Sequence, residues 1–565
     1  MDILTKANEW LNSDKVSQKD KDIISSLSTS ELNDAFYKDV EFGTAGMRGI
    51  LGPGTNRLNE FTVKRAAVGF ALYVLEKFEN AKEMGIVISH DNRLMSREFT
   101  LLSASIFNSF GIKAYIFDSL RPTPELSFAV RYLKCAGGVM VTASHNPKEH
   151  NGYKVYDEQG CQLTPNKIAR LLEIIDSLPS FLDLEIEEVE KVGKTIVLGK
   201  EVDDEYIRLV ENVAINRNIH KKGFKIVYTP QHGASYEGAI KIFNDLGYDF
   251  YPLEKQCAPD PYFSNTLSPN PEDPKAYIEP IKYAKEIDAD LICMTDPDGD
   301  RVGLAVKGRD NEYYTLTGNQ SAALLIGYIF SQRKEKGLLS KNGIMYSTIV
   351  SSSLGLDIAA YYGVKCEQLL TGFKFIGDRI QYYLDNNGPT FEFGYEESYG
   401  CLVAPFVRDK DGLQAILLYS EMAVYYNNIG MNLLEAYDEL QKRFSYHSDK
   451  VTSIEFFGME GAKEMDDLMT KLQTNPPKEI ASRKVIRIED YEAGIAKEGD
   501  NIIELTLPKS KVIKLFLDDK STVAIRPSGT EPKCKFYIDA LGNTKEEANN
   551  ASKNIFENLM EYLKN

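Results

Sequence analysis

Short apolar runs alternate with amphipathic stretches along the chain, and one unit occurs three times: a strand, a polar loop, a helix, a glycine and a second strand. In the first copy, the pattern predicts strands over Gly85–Ser89 and Lys113–Phe117 and a helix over 97–110. Ser96 stands at the predicted N-cap of this helix, and Gly111 stands where a left-handed residue would end it. Units of these lengths predict parallel or mixed sheets with helices on both faces.

The second copy runs from a strand at Phe224–Tyr228 to a strand at Tyr248–Pro252. The third copy runs from a strand at Gly343–Tyr346 to a strand at Gly363–Cys366. Each copy again places a loop and a helix between its strands. The repetition predicts three α/β domains of related build.

The last hundred or so residues follow a different pattern. The apolar runs Val512–Leu517 and Thr522–Ile525 flank a polar turn, which predicts a β-hairpin. Thr544 and Glu547 have the spacing of a capping box and predict the start of a final helix. The predicted fold is therefore three related α/β domains with mixed sheets plus a C-terminal α+β domain. The predicted domains cover residues 1–205, 206–318, 319–448 and 449–565.

Composition and charge narrow the class of protein. Hydrophobic residues make up 43% of the 565 residues and charged residues 26%, which argues against a disordered or fibrous chain. The 66 basic and 83 acidic residues give a net charge of −17, so we expect neither a nucleic-acid nor a membrane partner. Seven scattered cysteines without a CxxC pair, no signal-like N-terminus and no long apolar span predict a cytoplasmic protein with reduced thiols.

A candidate reactive loop follows the buried-strand pattern of Gly137–Val141. The loop reads Thr142-Ala-Ser-His-Asn-Pro147, and Ser144 would stand at the carboxyl end of a parallel strand, where open α/β sheets bind their ligands. The alternative is a plain turn that uses Ser, Asn and Pro for their turn propensity. The G-x-S-x-G elbow of hydrolases is missing, which disfavours acyl transfer.

A candidate metal loop follows the next apolar strand, Leu291–Thr295. Its carboxylates stand at alternate positions, Asp296, Asp298 and Asp300. Oxygen ligands at this spacing can converge on one hard cation, and Mg²⁺ completed by water or phosphate oxygens fits best. An EF-hand is disfavoured because Lys307 stands at the twelfth loop position, where a bidentate Glu is needed. A solvated acidic turn is the alternative.

Three further loops carry weaker signals. Glu41–Gly49 spaces its glycines as G-x-x-G-x-x-G, so that backbone could approach a ligand while Arg48 reaches toward it. Tyr395–Gly400 offers carboxylates and a hydroxyl suited to sugar hydroxyls, and Ile525–Thr530 offers an Arg, hydroxyls and a glycine suited to a phosphate. For each of them an ordinary turn is the alternative.

Together and in this order, these loops resemble the α-D-phosphohexomutase family over nearly the whole chain. The most specific motifs are Thr142–Pro147 with Asn151–Lys154 and the metal loop Asp296–Arg301. Four other motifs resemble the bacterial α-phosphoglucomutase and phosphopentomutase branch: Thr371–Lys374, Tyr395–Gly400, Arg408–Gly412 and Arg526–Lys533.

The resemblance implies a phosphoserine, a metal-binding, a sugar-recognition and a phosphate-binding domain around a central cleft. It implies interconversion of glucose 1-phosphate and glucose 6-phosphate, with glucose 1,6-bisphosphate as intermediate and activator. The implied catalytic residues are Ser144, Arg48, His145 and Lys154. Phosphorylated Ser144 would hold one Mg²⁺ with Asp296, Asp298 and Asp300. The implied substrate-binding residues are Arg301, Thr371, Gly372, Glu396, Ser398, Lys410, Arg526, Ser528, Gly529 and Thr530.

Several alternatives stay open at this point. Mannose or pentose phosphates could replace the glucose phosphate, and a hexose bisphosphate synthase could use the same site. A haloacid dehalogenase-type phosphatase is a further alternative, because a strand followed by Asp296-x-Asp298 resembles its nucleophile loop. A non-catalytic relative is disfavoured, since Ser144 and all three aspartates are present. The expected partner is a sugar phosphate, and the expected assembly is a monomer or homodimer.

Overall fold

A computed structural model of the chain describes residues 3–43, 46–186, 193–456, 458–527 and 533–564. The strands are β1 (Phe42–Gly43), β2 (Gly46–Ile50), β3 (Ile86–His90), β4 (Ala114–Phe117), β5 (Gly137–Val141), β6 (His150–Tyr156), β7 (Thr195–Leu198), β8 (Lys225–Thr229), β9 (Asp249–Pro252), β10 (Leu291–Thr295), β11 (Val302–Lys307), β12 (Tyr313–Leu316), β13 (Gly343–Thr348), β14 (Lys365–Leu369), β15 (Thr390–Glu396), β16 (Gly400–Leu402), β17 (Tyr446–Glu455), β18 (Glu479–Ile480), β19 (Arg483–Asp490), β20 (Ile495–Glu498), β21 (Asn501–Glu504), β22 (Ile513–Leu517), β23 (Thr522–Pro527) and β24 (Lys533–Gly542).

The helices are α1 (Ile3–Asn12), α2 (Gln18–Ser26), α3 (Thr29–Phe36), α4 (Glu60–Lys77), α5 (Ala81–Met84), α6 (Ser96–Ser109), α7 (Thr123–Tyr132), α8 (Pro165–Ser177), α9 (Lys200–Glu211), α10 (Tyr236–Asp245), α11 (Ile278–Ile287), α12 (Gly318–Glu335), α13 (Leu354–Tyr362), α14 (Phe373–Asp385), α15 (Gly412–Asn428), α16 (Leu433–Phe444), α17 (Gly458–Thr474) and α18 (Lys545–Lys564). None of the helices in the described ranges is both long and apolar enough to span a bilayer.

The chain forms two compact units. The first comprises the described residues of Met1–Leu316, Phe373–Phe391 and Tyr399–Gly430, and the second comprises those of Thr317–Gly372, Glu392–Ser398 and Met431–Asn565.

The first unit contains two mixed sheets. One has the strand order β1-β2-β6-β5-β3-β4-β7, in which β5, β3, β4 and β7 run parallel and β6 pairs antiparallel with β5. The other has the order β12-β11-β10-β8-β9, with β10, β8 and β9 parallel. Both β5 and β10 are buried at every residue, as expected for central strands covered on both faces. The two candidate loops therefore start from rigid strands.

The first copy of the repeated strand–helix–strand pattern is present as predicted, with one correction. β3 and β4 are parallel and α6 connects them, and Gly111 has a positive φ of 76° after the helix. The prediction that Ser96 caps α6 is wrong. The helix begins at Ser96, and Met95 holds the N-cap position at φ 67° without a side-chain hydrogen bond. The Ser96 hydroxyl instead donates to Asp91 Oδ1 at 2.9 Å, in the loop beside the candidate site.

The second copy of the repeated strand–helix–strand pattern lies in the first compact unit, as the first copy does. Strands β8 and β9 are parallel and α10 connects them, as the sequence predicts. β10 then pairs parallel with β8 on its other side, so that the metal loop leaves the carboxyl end of a central strand.

The second unit contains the third copy and the C-terminal domain. β13 and β14 are parallel, α13 connects them, and β15 follows β13 in the sheet. The C-terminal sheet has the order β17-β24-β23-β22-β19-β20-β21, and all of its neighbours are antiparallel. The predicted hairpin is β22–β23, and α18 packs on β24. Thr544 accepts from Glu547 N at the start of α18, as predicted. The α/β fold class with a C-terminal α+β domain is confirmed.

Candidate active site

Ser144 stands on a strained turn three residues beyond Val141, where β5 ends. Its φ is +53°, in the left-handed region that non-glycine residues rarely adopt and that often marks a functional turn. The Ser144 amide donates to Thr142 Oγ1 at 2.7 Å, and Thr142 Oγ1 donates to Asp91 Oδ2 at 2.6 Å. The turn is therefore held by hydrogen bonds that reach the neighbouring strand end.

The turn brings Ser144 to the metal loop. Ser144 Oγ donates to Asp296 Oδ2 at 2.6 Å, across 152 positions of the chain. His145 Nδ1 lies 3.2 Å from the same hydroxyl. The predicted reactive serine and the first predicted metal ligand thus lie in direct contact, both within the first unit.

The three aspartates form a buried cluster that fits a hard cation. One carboxylate oxygen from each of Asp296, Asp298 and Asp300 lies within 4.8 Å of the others. Asp298 Oδ1 and Asp300 Oδ1 are buried and have no hydrogen-bond partner among the described residues. Buried carboxylate oxygens without partners are costly unless a cation compensates them. The cluster therefore fits a divalent cation with oxygen ligands.

The protonation of the cluster follows from burial and neighbouring charge. Burial raises the pKa of Asp296 and of Asp300, and the Asp298 carboxylate raises both further. Burial also acts to raise the pKa of Asp298, but the Lys154 charge together with the hydrogen bonds of Asp296, Lys154 and Ser144 outweighs it and holds that pKa below its usual range. Asp298 is therefore the most firmly ionised member of the cluster.

Several cations surround the carboxylates. Lys154 Nζ donates to Asp298 Oδ2 at 2.8 Å. Lys410 Nζ lies 3.1 Å from Asp300 Oδ2, so the structure places this predicted phosphate ligand at the metal loop. Arg301, the residue after Asp300, pairs with Glu272 at 2.8 Å.

Two predicted catalytic residues lie close to these charges. Arg48 Nη1 donates to Asn146 Oδ1 at 2.9 Å, next to the Ser144 turn. Burial lowers the pKa of His145 well below its usual value, and the nearby Arg301 and Arg48 lower it further. His145 is therefore a neutral imidazole near pH 7, able to hydrogen-bond with Ser144 Oγ without adding charge.

One glycine of the Arg48 loop, Gly46, is required by packing, for a reason that the sequence did not show. Gly46 has φ +85°, and a Cβ there would lie 2.4 Å from the carbonyl oxygen of Tyr153. The close approach therefore serves the pairing of β2 with β6, which carries Lys154. Gly43 and Gly49 would meet no atom closer than 3.7 Å.

The predicted sugar residues lie in the second unit. Glu396 Oε1 accepts a hydrogen bond from Gly372 N at 2.7 Å, which joins two of the predicted motifs. Thr371 Oγ1 is buried and has no hydrogen-bond partner among the described residues, and Ser398 is half-buried. Arg526 lies in β23, whereas Ser528, Gly529 and Thr530 lie outside the described residues.

Glu397, next to Glu396, should make the stability of the fold depend on pH. Burial, together with the Glu396 carboxylate, raises the pKa of Glu397 from 4.5 to about 7. The folded state therefore binds this proton more tightly than the unfolded state. The resulting stabilisation is complete below about pH 4.5 and is lost as the pH rises through about 7, for a total of about 3 kcal/mol.

Glu397→Gln removes this titration, so its free energy of unfolding should vary less with pH over this range than that of the wild type. Urea unfolding at several pH values measures the difference, with the exposed Glu455→Gln as control. Identical pH profiles for the Glu397 variant and the wild type would contradict the assignment.

Two supporting residues were missed at the level of sequence. Thr123 donates from its amide to Asp298 O at 2.8 Å and from its hydroxyl to Asp298 Oδ2 at 3.1 Å. Arg93, in the loop after β3, contacts the backbone of the Ser144 turn. The signal for Arg93 was its place after a strand parallel to β5, since the carboxyl ends of neighbouring parallel strands meet. No comparable signal identifies Thr123.

Comparison with known proteins identifies the family. The chain matches family models of phosphoglucomutase/phosphomannomutase α/β/α domain I over residues 39–180, domain II over 204–309 and domain III over 317–444. A phosphoglucomutase of Staphylococcus epidermidis is 39% identical over 523 residues, which cover 92% of this chain and 94% of the relative. The chain belongs to the phosphoglucomutase/phosphomannomutase family. The resemblance inferred from the motifs is thereby confirmed.

Other members of the phosphoglucomutase/phosphomannomutase family agree with this placement. A phosphoglucomutase of Staphylococcus aureus is 37% identical over 513 residues, which cover 90% of this chain and 91% of the relative. The crystal structure of the exocytosis-sensitive phosphoprotein parafusin, a phosphoglucomutase from Paramecium, matches with a TM-score of 0.70 at 20% identity. That match covers 94% of this chain and 95% of parafusin, and it shows the same fold.

Proposed function

We propose that this protein interconverts glucose 1-phosphate and glucose 6-phosphate, with Ser144 as the carrier of the phosphoryl group and glucose 1,6-bisphosphate as the intermediate. The observation that carries the proposal is the 2.6 Å contact between Ser144 Oγ and Asp296 Oδ2, in a buried cluster of three carboxylates. Relatives that are 37–39% identical over at least 90% of the chain are named phosphoglucomutases.

In the first half of the cycle, the phosphoryl group leaves Ser144 Oγ and binds to O6 of glucose 1-phosphate, whose hydroxyl proton is taken up by the enzyme. In the second half, the phosphoryl group that the substrate carried on O1 is transferred to Ser144 Oγ, and O1 takes up a proton. Such transfers depend mainly on in-line positioning and charge stabilisation. One Mg²⁺ held by Asp296, Asp298 and Asp300 would act as a Lewis acid on the phosphoryl oxygens.

The residues around Ser144 supply the rest of the chemistry. Lys154 is held by Asp298 at 2.8 Å and Arg48 by Asn146 at 2.9 Å, so both bring positive charge to the turn. Within the proposal they stabilise the transferring group and assist proton movement at the sugar oxygen. The neutral His145 orients the Ser144 hydroxyl through the 3.2 Å contact.

Substrate recognition is assigned to the second unit and to two residues of the first. Glu396 and Ser398 read sugar hydroxyls, and the Thr371 hydroxyl with Gly372 completes the sugar loop. The groups proposed to bind the phosphate that does not react are Arg526, Ser528, Gly529 and Thr530 with Lys410, and Arg301 is proposed as a further substrate-binding residue. Because the sugar binds in two orientations during the cycle, this clamp has to contact the phosphate and not the ring.

A side-by-side assay tests the proposed substrate. We expect glucose 1-phosphate to be converted faster than mannose 1-phosphate and ribose 1-phosphate. The rate should depend on Mg²⁺ and rise when glucose 1,6-bisphosphate is added, because the bisphosphate phosphorylates Ser144. If mannose 1-phosphate or ribose 1-phosphate were converted faster, that sugar phosphate and not glucose 1-phosphate would be the preferred substrate. Formation of bisphosphate from a bisphosphoglycerate donor without net isomerisation would instead favour a synthase.

A further inference from the structure

Arg93 binds the backbone of the Ser144 turn more extensively than its place in the sequence suggests. Its Nη2 lies 2.5 Å from both the Ser144 and the Asn146 carbonyl oxygens. Its Nη1 donates to the Pro147 carbonyl oxygen at 2.9 Å and to the His150 carbonyl oxygen at 3.0 Å. One guanidinium therefore accounts for four backbone acceptors within seven residues of the reactive loop.

The guanidinium is itself held on two further sides. Arg93 Nε lies 3.2 Å from Asp91 Oδ2, the atom that also accepts from Thr142 Oγ1. The ring of Phe263 covers the guanidinium with its centroid at 5.2 Å, in a cation–π contact. Only 3% of Arg93 is exposed. The side chain is buried, paired and capped, so its position is defined.

We infer that Arg93 is a positioning residue for phosphoryl transfer, which holds the Ser144 turn in its left-handed conformation by gathering four of the loop's carbonyl oxygens. This inference rests on the proposed function, since it names a residue that acts through Ser144. Four carbonyl oxygens directed at one point repel each other unless several donors lie between them. A planar guanidinium supplies those donors from its two Nη nitrogens, which are held in fixed geometry, whereas an ammonium offers a single point charge.

The position of the Ser144 oxygen matters in addition to its presence. An in-line transfer requires the serine oxygen, the phosphorus and the sugar oxygen to align, and an error of about 1 Å can cost about 100-fold in rate. The same oxygen acts in both halves of the cycle. Arg93 therefore affects kcat in both directions, while the proposed sugar residues Glu396 and Thr371, in the second unit, still set the affinity for substrate.

The test compares Arg93→Lys and Arg93→Ala with the wild type. We expect kcat to fall about 100-fold in Arg93→Lys with little change in KM, although the charge is kept. We expect added guanidinium chloride, at concentrations too low to unfold the protein, to restore part of the activity of Arg93→Ala but none of that of Arg93→Lys. The matched control is Arg97, four residues further on, which donates to the Phe117 carbonyl oxygen at 3.0 Å outside the site. Arg97→Lys should keep the wild-type kcat.

The outcomes separate this inference from the proposed function. Intact mass of the wild type, after incubation with glucose 1,6-bisphosphate, reports whether Ser144 carries a phosphoryl group. An unphosphorylated, inactive wild type would refute the proposed function itself. A phosphorylated and active wild type together with a fully active Arg93→Lys would overturn the inference alone. Loss of the folded state in Arg93→Lys, seen by thermal unfolding, would also overturn it, since the residue would then serve the fold rather than the turn.

Discussion

Replacing Ser144 with alanine is expected to abolish phosphorylation of the protein and to reduce kcat on the order of 10⁶-fold, the scale of nucleophile loss in an enzyme that uses covalent catalysis. The variant loses the only atom that the proposal assigns to carrying the phosphoryl group. Ser144 Oγ also donates to Asp296 and contacts His145, and alanine removes these two contacts but keeps the amide hydrogen bond of residue 144 to Thr142 Oγ1. Binding of glucose 1-phosphate should therefore persist, measured by isothermal titration.

The control for Ser144→Ala is Ser105→Ala, which removes an exposed hydroxyl on α6. We expect it to keep both the phosphoserine and the wild-type rate. A phosphoryl group that survives acid and stays on the Ser144→Ala protein would place the nucleophile elsewhere. A phosphoryl group that hydroxylamine removes, as expected of an acyl phosphate on Asp296, would favour the phosphatase alternative.

Asp298→Asn should produce the second large effect. Asp298 lies between Lys154 and Thr123, and its Oδ1 has no hydrogen-bond partner among the described residues. The asparagine side chain of this variant carries no negative charge, so the cluster loses one charge and Lys154 loses its carboxylate partner. We expect the affinity for Mg²⁺ to fall by more than the roughly 10–100-fold that loss of a supporting partner costs. The several kcal/mol of charge stabilisation that the ion supplies correspond to roughly 1,000-fold or more in kcat.

Titration of activity with Mg²⁺ after chelation measures both effects. The wild type should lose activity with the chelator and regain it with the ion, whereas Asp298→Asn should not regain it at the same concentrations. Asp310→Asn, which changes an exposed aspartate in the loop after β11, is the control. An Asp298→Asn variant with wild-type dependence on Mg²⁺ would exclude the cluster as the metal site.

The fold and the two central loops of the site follow from local patterns. Strands β5 and β10 are short apolar runs that end in polar residues, and the polar ends of buried strands identify the Ser144 and Asp296 loops. The two strands lie in different sheets, so the contact between these loops was implied only by the resemblance to the family. The function of each loop was ambiguous when the loop was considered alone, and the combination of family motifs resolved this ambiguity.

The supporting contacts could not be predicted, because they join positions that no local pattern connects. Thr123 opens a helix and Asp298 lies 175 positions further on, so the pairing exists only in the folded chain. Lys410 was expected at the phosphate, and its contact with Asp300 depends on how the loop before α15 packs. The helix start at Ser96 was misplaced because its hydroxyl binds the Asp91 carboxylate, five positions earlier, instead of the helix backbone.

The reactive serine and its three carboxylates belong to one compact unit, whereas Glu396 and Thr371 belong to the other. Within the proposed function, catalytic power and substrate choice thus belong to separate units of the same polypeptide. Mutations in the sugar-reading loop could shift preference from one hexose or pentose to another without disturbing the phosphorylation machinery. An engineer seeking a new specificity would begin at Glu396, Ser398 and Thr371 and leave the serine turn untouched.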